Sequence, residues 1–332
     1  MIELKNSTLV FSFPDIHPEA RISIKFQRTL RIPDDEKTYP LPPGLGIFPL
    51  KHIDDYPVPE QWVEHGGVMM PMYQSEAMWI DFSTDYMIDH RTSYPFAIKI
   101  ATGKINAVTG EPWDNTLNSN PQDYMVSTEQ PWLDGYCIGN NVIRQFVAVP
   151  PASGYSAEEQ LTGKAEHGGI QLIVYPMKKE IFYKKFPIIQ RKSVINESGV
   201  RYSTSSDMLI APGGKMEQEV FEDPFDFTDW DQNINSRCFV HIADSMVWRS
   251  ITGENPPTVP FTAKEYNRHG FPWFKYYKDN SKSLPGSSIL NKLKSVLQMG
   301  NDKGESPLPE NTPVNQENVI IISKDQVREG HF

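Results

Sequence analysis

The tetrapeptide Glu-His-Gly-Gly occurs twice, at Glu64-His65-Gly66-Gly67 and at Glu166-His167-Gly168-Gly169. Each copy runs into an apolar stretch, "VMMPMY" in the first case and "IQLIVYPM" in the second. Carboxylates and imidazoles are metal-holding side chains. Two such turns converging in space would offer Glu64, His65, Glu166 and His167 as a set suited to zinc, manganese or iron. A metal-bound water would then act as nucleophile or acid. Against that reading, adjacent Glu and His on an extended chain point to opposite faces. Punctuation accounts for the same residue types. Pro59 suits the start of a short helix ending at Gly66, and Ser156 with Glu159 spells a capping box, although Gly163 interrupts that segment. A histidine near a helix C-terminus complements the macrodipole, and a glycine pair lets the chain reverse. Both readings stand at this point, as turn into strand or as a duplicated half-site.

Other residues carry weaker chemical signals. Trp113, Trp132 and Trp273 stand beside prolines in "EPWDN", "QPWLDGY" and "FPWFKYY", where aromatic platforms for a sugar or a peptide are conceivable and buried loop anchors are the alternative. The segment 217–231 holds seven acidic residues and no basic one, with Asp226, Asp229 and Asp231 close together. It lacks the register of an EF-hand, so a solvated acidic loop is the simpler reading than a calcium site. In 178–192, Lys178, Lys179, Lys184, Lys185, Arg191 and Lys192 interleave with Phe182, Tyr183 and Phe186; this segment would face solvent, phosphates or the acidic loop. Met69, Met70, Met72 and Met78 read as core fillers before soft-metal ligands. Cys137 and Cys238, the two cysteines present, read as reduced core thiols.

Composition bounds the classes of function. With 42 acidic and 32 basic residues the chain carries a net charge of −10, which disfavours nucleic acid as a partner. No stretch approaches about 18 apolar residues and the N-terminus lacks a signal-peptide pattern, so a soluble, cytoplasmic protein without membrane insertion is expected. Walker, dinucleotide-binding, nucleophile-elbow, His-Glu-x-x-His and Cys-x-x-Cys motifs are all missing, which disfavours the common nucleotide-dependent and hydrolytic enzymes.

The elements that must position these residues are mainly strands. In "ARISIKFQRTLRI", Ile22, Ile24 and Phe26 alternate with Arg21, Ser23, Lys25 and Gln27, the pattern of a half-buried antiparallel strand. Eight further apolar runs are separated by Gly, Pro, Asn and Asp clusters, and 28 prolines in 332 residues exceed ordinary usage of roughly 5%. The segment from Pro33 to Pro59 is expected to be a long ordered loop. A capping box at Thr262 and Glu265 predicts a short helix, and the stripe Ile289, Leu290, Leu293, Val296 and Leu297 predicts another from a Ser288 cap to Gly300. The expected fold is mainly β or α+β. Its antiparallel β body is sandwich- or barrel-like, with Pro-rich loops and a short C-terminal helical segment. One unit over 1–300 is expected, alternatively two similar halves at about 1–150 and 151–300, followed by an extended tail over 301–332 whose "VIIIS" would form a terminal strand.

The stretches "YPLPPGLGIFPLKHIDDY", "PFAIKIATGKINAVTGEPW", "QDYMVSTEQPWLDGYCI" and "YNRHGFPWFKYY" resemble a widespread family of uncharacterised bacterial proteins with fungal relatives. The resemblance spans most of the chain and implies a self-contained protein. It assigns no activity, cofactor or functional residue. The leading expectation is therefore a non-catalytic binding or assembly protein, with a protein partner or a second copy of itself and no cofactor. The alternatives are a divalent-metal enzyme built on the two tetrapeptides and a carbohydrate or peptide binder built on the tryptophans.

Overall fold

In the computed structural model, Ile22, Ile24 and Phe26 are fully buried while Ser23, Lys25 and Gln27 stay partly exposed, as the alternation demands. The structure describes the chain except residues 36, 189–207, 258, 260, 278–280, 307–310, 312, 317 and 324–332. The strand Arg21–Thr29 pairs antiparallel with Thr8–Ser12 on one side and Ala77–Thr84 on the other. The sheet continues through Val142–Val149 and Leu209–Glu217 to Thr38–Tyr39, which joins in parallel. Trp132–Leu133 pairs with Ala77–Thr84 as a short lateral strand.

A second sheet runs in the order Ile105–Asn106, Phe96–Thr102, Ile170–Pro176, Ser236–Ala243, Val68–Pro71, Lys51–His52. Phe96–Thr102 and Ile170–Pro176 are buried along their whole length. Covered on both faces, they read as mostly apolar runs, interrupted by the buried Lys99, Thr102 and Gln171, rather than as alternations. Residues from both sheets, among them Phe26, Ile80, Ile98, Leu172 and Ile242, belong to one hydrophobic core.

The molecule is thus mainly β with few helices, and among the described residues neither large sheet closes into a barrel. The sheets are mixed rather than purely antiparallel, because Val68–Pro71 lies parallel to Ser236–Ala243. Both sheets take strands from before and after residue 150, and the core does the same. No helix among the described residues is long and apolar enough to cross a membrane.

Short-range signals are obeyed closely. Ser156 with Glu159 and Thr262 with Glu265 form capping boxes, at helices Ala157–Thr162 and Ala263–Arg268. Gly163 is the left-handed C-cap of the first. The continuous helix expected over 288–300 does not form. A 3-10 turn at Leu290–Lys292 stops at Leu293, whose ψ is 132°, and a new helix spans Val296–Asp302. Ser295 breaks the segment by forming its own capping box with Gln298, and Leu297 donates its N–H to Asp34 Oδ2 at 2.9 Å. The buried side chains of the stripe, Leu290, Leu293 and Val296, still face inward. The strand Val319–Ser323 forms and pairs parallel with Trp273–Tyr277. The Pro-rich segment after Pro33 is tied to the body by bridges from Leu41 to Phe274 and from Ile47 to Gln27.

Candidate functional site

The two tetrapeptides meet. Val68 and Ile170, each the first residue after a copy, are both in register with Val240, one from each side of strand Ser236–Ala243. Gln61 Nε2 donates to the Glu166 carbonyl at 2.7 Å, linking the turns directly. A side chain on Gly67 would lie 2.1 Å from the Phe239 carbonyl oxygen. One on Gly169 would lie 2.6 Å from both the Phe239 ring and the Val240 carbonyl oxygen. Glycine is required there because two turns close against one strand from opposite edges.

The side chains of the motif do different work. Glu64 and Glu166 are exposed, and Glu166 pairs with Lys164 at 2.7 Å. The backbone of the second copy forms a concave nest filled by this chain's own buried Glu158. The Glu158 carboxylate accepts N–H groups from Glu166 at 3.0 Å, His167 at 2.8 Å and Gly168 at 2.9 Å. His65 stacks on Phe239 with centroids 4.6 Å apart and planes inclined 3°, in a column continued by His241 and Trp62. Burial, with Lys104 and His167 nearby, holds the His65 imidazole below its usual range. Burial drives His241 down to about 3, against the pull of the Gly66 carbonyl that its Nε2 meets at 3.2 Å. Among the described residues no three His, Cys, Asp or Glu side chains gather in a way that would hold a metal. The sequence therefore locates a real convergence, but what converges is backbone and stacked rings rather than a donor set.

A cavity of about 570 Å³ opens where the loops after Asn106, the 222–227 segment and the 284–289 segment meet. Its walls are locally fixed. Asn106 Oδ1 accepts the Val108 and Thr109 N–H groups at 2.8 and 2.9 Å, and Ser287 Oγ donates to the Thr109 carbonyl at 2.5 Å. Asp223 Oδ2 accepts from the Tyr124 hydroxyl at 2.6 Å and from the Trp230 indole at 2.7 Å, while Oδ1 accepts the Phe225 N–H at 2.8 Å. Burial raises the Asp223 carboxyl above the usual range, against the two side-chain hydrogen bonds. Glu111, Glu222 and Asp223 line the space together with Tyr124, Phe225 and Phe227, and among the described residues no Lys, Arg or His does. Cys137 lies at its wall, buried and unbridged like Cys238.

The charged segments meet each other in part. Lys185 Nζ lies 3.0 Å from Asp229 Oδ2, and Lys178 Nζ donates to the Thr228 carbonyl at 2.8 Å. Arg191 and Lys192 fall outside the described residues. Asp226 and Asp229 cap a 3-10 turn, and Asp231 Oδ1 accepts the Asn233 N–H, so local turns occupy these carboxylates.

The three tryptophans part company. Trp273 is fully buried against Tyr39 and Tyr266, so it offers no platform. Trp113 is half-buried, its indole bonded to Asn115 Oδ1 at 3.0 Å, with Lys99 Nζ 5.5 Å from its ring centre. Trp132 lines a second cavity of about 290 Å³, together with Trp79 and Tyr276. Trp79 escaped the reading of the sequence because it lies inside a strand. The available signal was its phase: it shares the outward face of Ala77–Thr84 with Asp81 and Ser83. No family model matches the chain, and neither a curated protein nor a solved structure matches it.

Proposed function

We propose that the chain is a non-catalytic binding protein that holds a small polar ligand, neutral or positively charged, in the 570 Å³ cleft. The observation that carries this reading is the pairing of charge and shape: three carboxylates and three aromatic rings line one open, locally braced concavity, with no basic side chain among the described residues that line it. Negative potential in a walled cleft repels phosphates and other anions and favours cations or polyhydroxy groups. Asp223 supports binding over catalysis, because Tyr124, Trp230 and Phe225 already engage both its oxygens. It acts as a rigid acceptor that orders the wall.

Thermal denaturation and calorimetry of the full chain test this against three panels: primary amines and guanidines, neutral sugars and polyols, and phosphates with nucleotides. A true ligand at a hundred times its Kd stabilises by about 2.7 kcal/mol. Saturable binding from the first or second panel, weakened in Glu222→Gln and Phe225→Ala, is the expected result. Binding confined to the anionic panel, or binding indifferent to both variants, would overturn the assignment.

A further inference from the structure

The second cavity shares no lining residue with the first. Trp79, Trp132, Phe274 and Tyr276 line it, all partly buried, together with Leu41, the Pro42-Pro43-Gly44 segment and the buried Asp134. The rings come from three separate strands: Trp79 from Ala77–Thr84, Trp132 from the lateral strand paired to it, and Phe274 and Tyr276 from Trp273–Tyr277. They stand at steep mutual angles. Trp79 and Trp132 are 6.2 Å apart at 63°, and Trp132 and Tyr276 are 4.8 Å apart at 64°. Asp134, two residues beyond Trp132, accepts from Gln218 Nε2 at 2.6 Å and is also hydrogen-bonded by the Trp132 side chain. Among the described residues no Lys, Arg or His lines the cavity.

We propose that this cavity is an aromatic cage for the quaternary ammonium group of a small molecule, with Trp79, Trp132 and Tyr276 as its walls and the Asp134 carboxyl, held by Gln218, as the acidic group that also lines it. A trimethylammonium head presents methyl groups and a delocalised positive charge. It asks for carbon walls and aromatic rings rather than hydrogen-bond partners. The lining matches that demand, since among the described residues Asp134 is its one carboxylic acid and the rest is aromatic, aliphatic, proline or glycine. A primary ammonium or a sugar would surrender hydration there and meet one carboxyl, that of Asp134, which Gln218 and Trp132 already engage. The volume suits one head group with a short chain and falls at the lower end of ordinary ligand sites, which run from about 300 Å³ upward.

The test titrates the full chain with tetramethylammonium and choline, followed by tryptophan fluorescence and calorimetry. Parallel titrations use 3,3-dimethyl-1-butanol, the neutral carbon isostere of choline, and a trimethyl-lysine peptide. Saturable choline binding is expected, about tenfold or more tighter than that of the isostere. Trp79→Leu and Tyr276→Leu keep the walls apolar without their π systems and should weaken choline about tenfold while leaving the isostere unchanged. The comparison within the unsubstituted protein stands even where a variant fails to fold. Equal affinity for the isostere would reduce the cavity to a merely apolar groove, and no saturable binding of either cation would also overturn the proposal. Selective capture of the trimethyl-lysine peptide over choline would replace the small-molecule site with a protein-docking one.

Discussion

The Glu158 carboxylate accepts the backbone N–H of His167 across 2.8 Å, between the Glu166 and Gly168 N–H groups that it also receives. The second tetrapeptide is therefore an anion nest whose anion is eight residues upstream in the same chain, on the first turn of helix Ala157–Thr162. Gly103 completes the fit, because a side chain there would come within 2.4 Å of Glu158 Oε2.

Glu158→Ala strips three amides of their acceptor at a buried site. A buried donor left unmade costs about 1–3 kcal/mol, so a loss of about 3 kcal/mol or more is expected by urea denaturation. His167→Ala removes a side chain with no hydrogen-bond partner among the described residues, and should stay within about 0.5 kcal/mol. If the order were reversed, the imidazole would be the working part of the motif and the nest incidental.

The two glycines of the first copy separate strain from collision. Gly66 combines φ 65° with ψ −168°, a region other residues avoid, but nothing lies within 4 Å of an added Cβ. Gly66→Ala should cost about 1–3 kcal/mol. Gly67 adds to its φ of 95° a Cβ position 2.1 Å from the Phe239 carbonyl oxygen. Gly67→Ala must push two hydrogen-bonded strands apart and should destabilise well beyond its neighbour. Equal midpoints in denaturant would mean that the turn is looser than the register implies.

How far these features could be read in advance follows from the range of the forces involved. Capping boxes at Ser156 and Thr262 involve residues three apart, so the sequence carries them whole. The same rule applied locally at Ser295 splits the helix that the longer apolar stripe predicts, because a cap three residues from Gln298 outweighs periodicity across a break. The convergence of the tetrapeptides depends on both neighbours of Val240 choosing one register, which no spacing along the chain encodes. Trp79, Trp132 and Tyr276 likewise come together only through pairing of distant strands. The acidic segment was visible, but its role was not. Asp223 acquires its setting from Tyr124, a residue 99 positions away.

Cys137 borders the large cleft, yet burial raises its thiol to about 12, as it does that of Cys238. At pH 8 almost no thiolate forms on either. A thiol-specific chromogenic reagent should label neither residue in the native protein and both after denaturation. Prompt native labelling of one equivalent would show that the cleft wall opens to solvent.

Two buried groups tilt stability in opposite directions with pH. His241 has its pKa lowered to about 3 from 6.5, so the folded state binds its proton less readily than the unfolded chain. Its contribution is complete above about 6.5 and drains away as pH falls toward 3, at up to about 1.4 kcal/mol per pH unit. His65, stacked in the same column and also lowered, adds to that slope. Asp134 has its pKa raised to about 7 from 3.8 by burial, opposed by Gln218 and Trp132. Its contribution is complete below about 3.8 and is lost as pH rises through 7. Stability should therefore pass through a broad region between pH 4 and 6.5 in which the two slopes offset each other. His241→Phe, which keeps an aromatic ring between Trp62 and Phe239, should flatten the acid side of chemical-denaturation curves taken from pH 3 to 8. Asp134→Asn should flatten the alkaline side and leave the acid slope in place. A His241→Phe protein that still loses stability on acidification at the original slope would place the acid-sensitive group elsewhere in the fold.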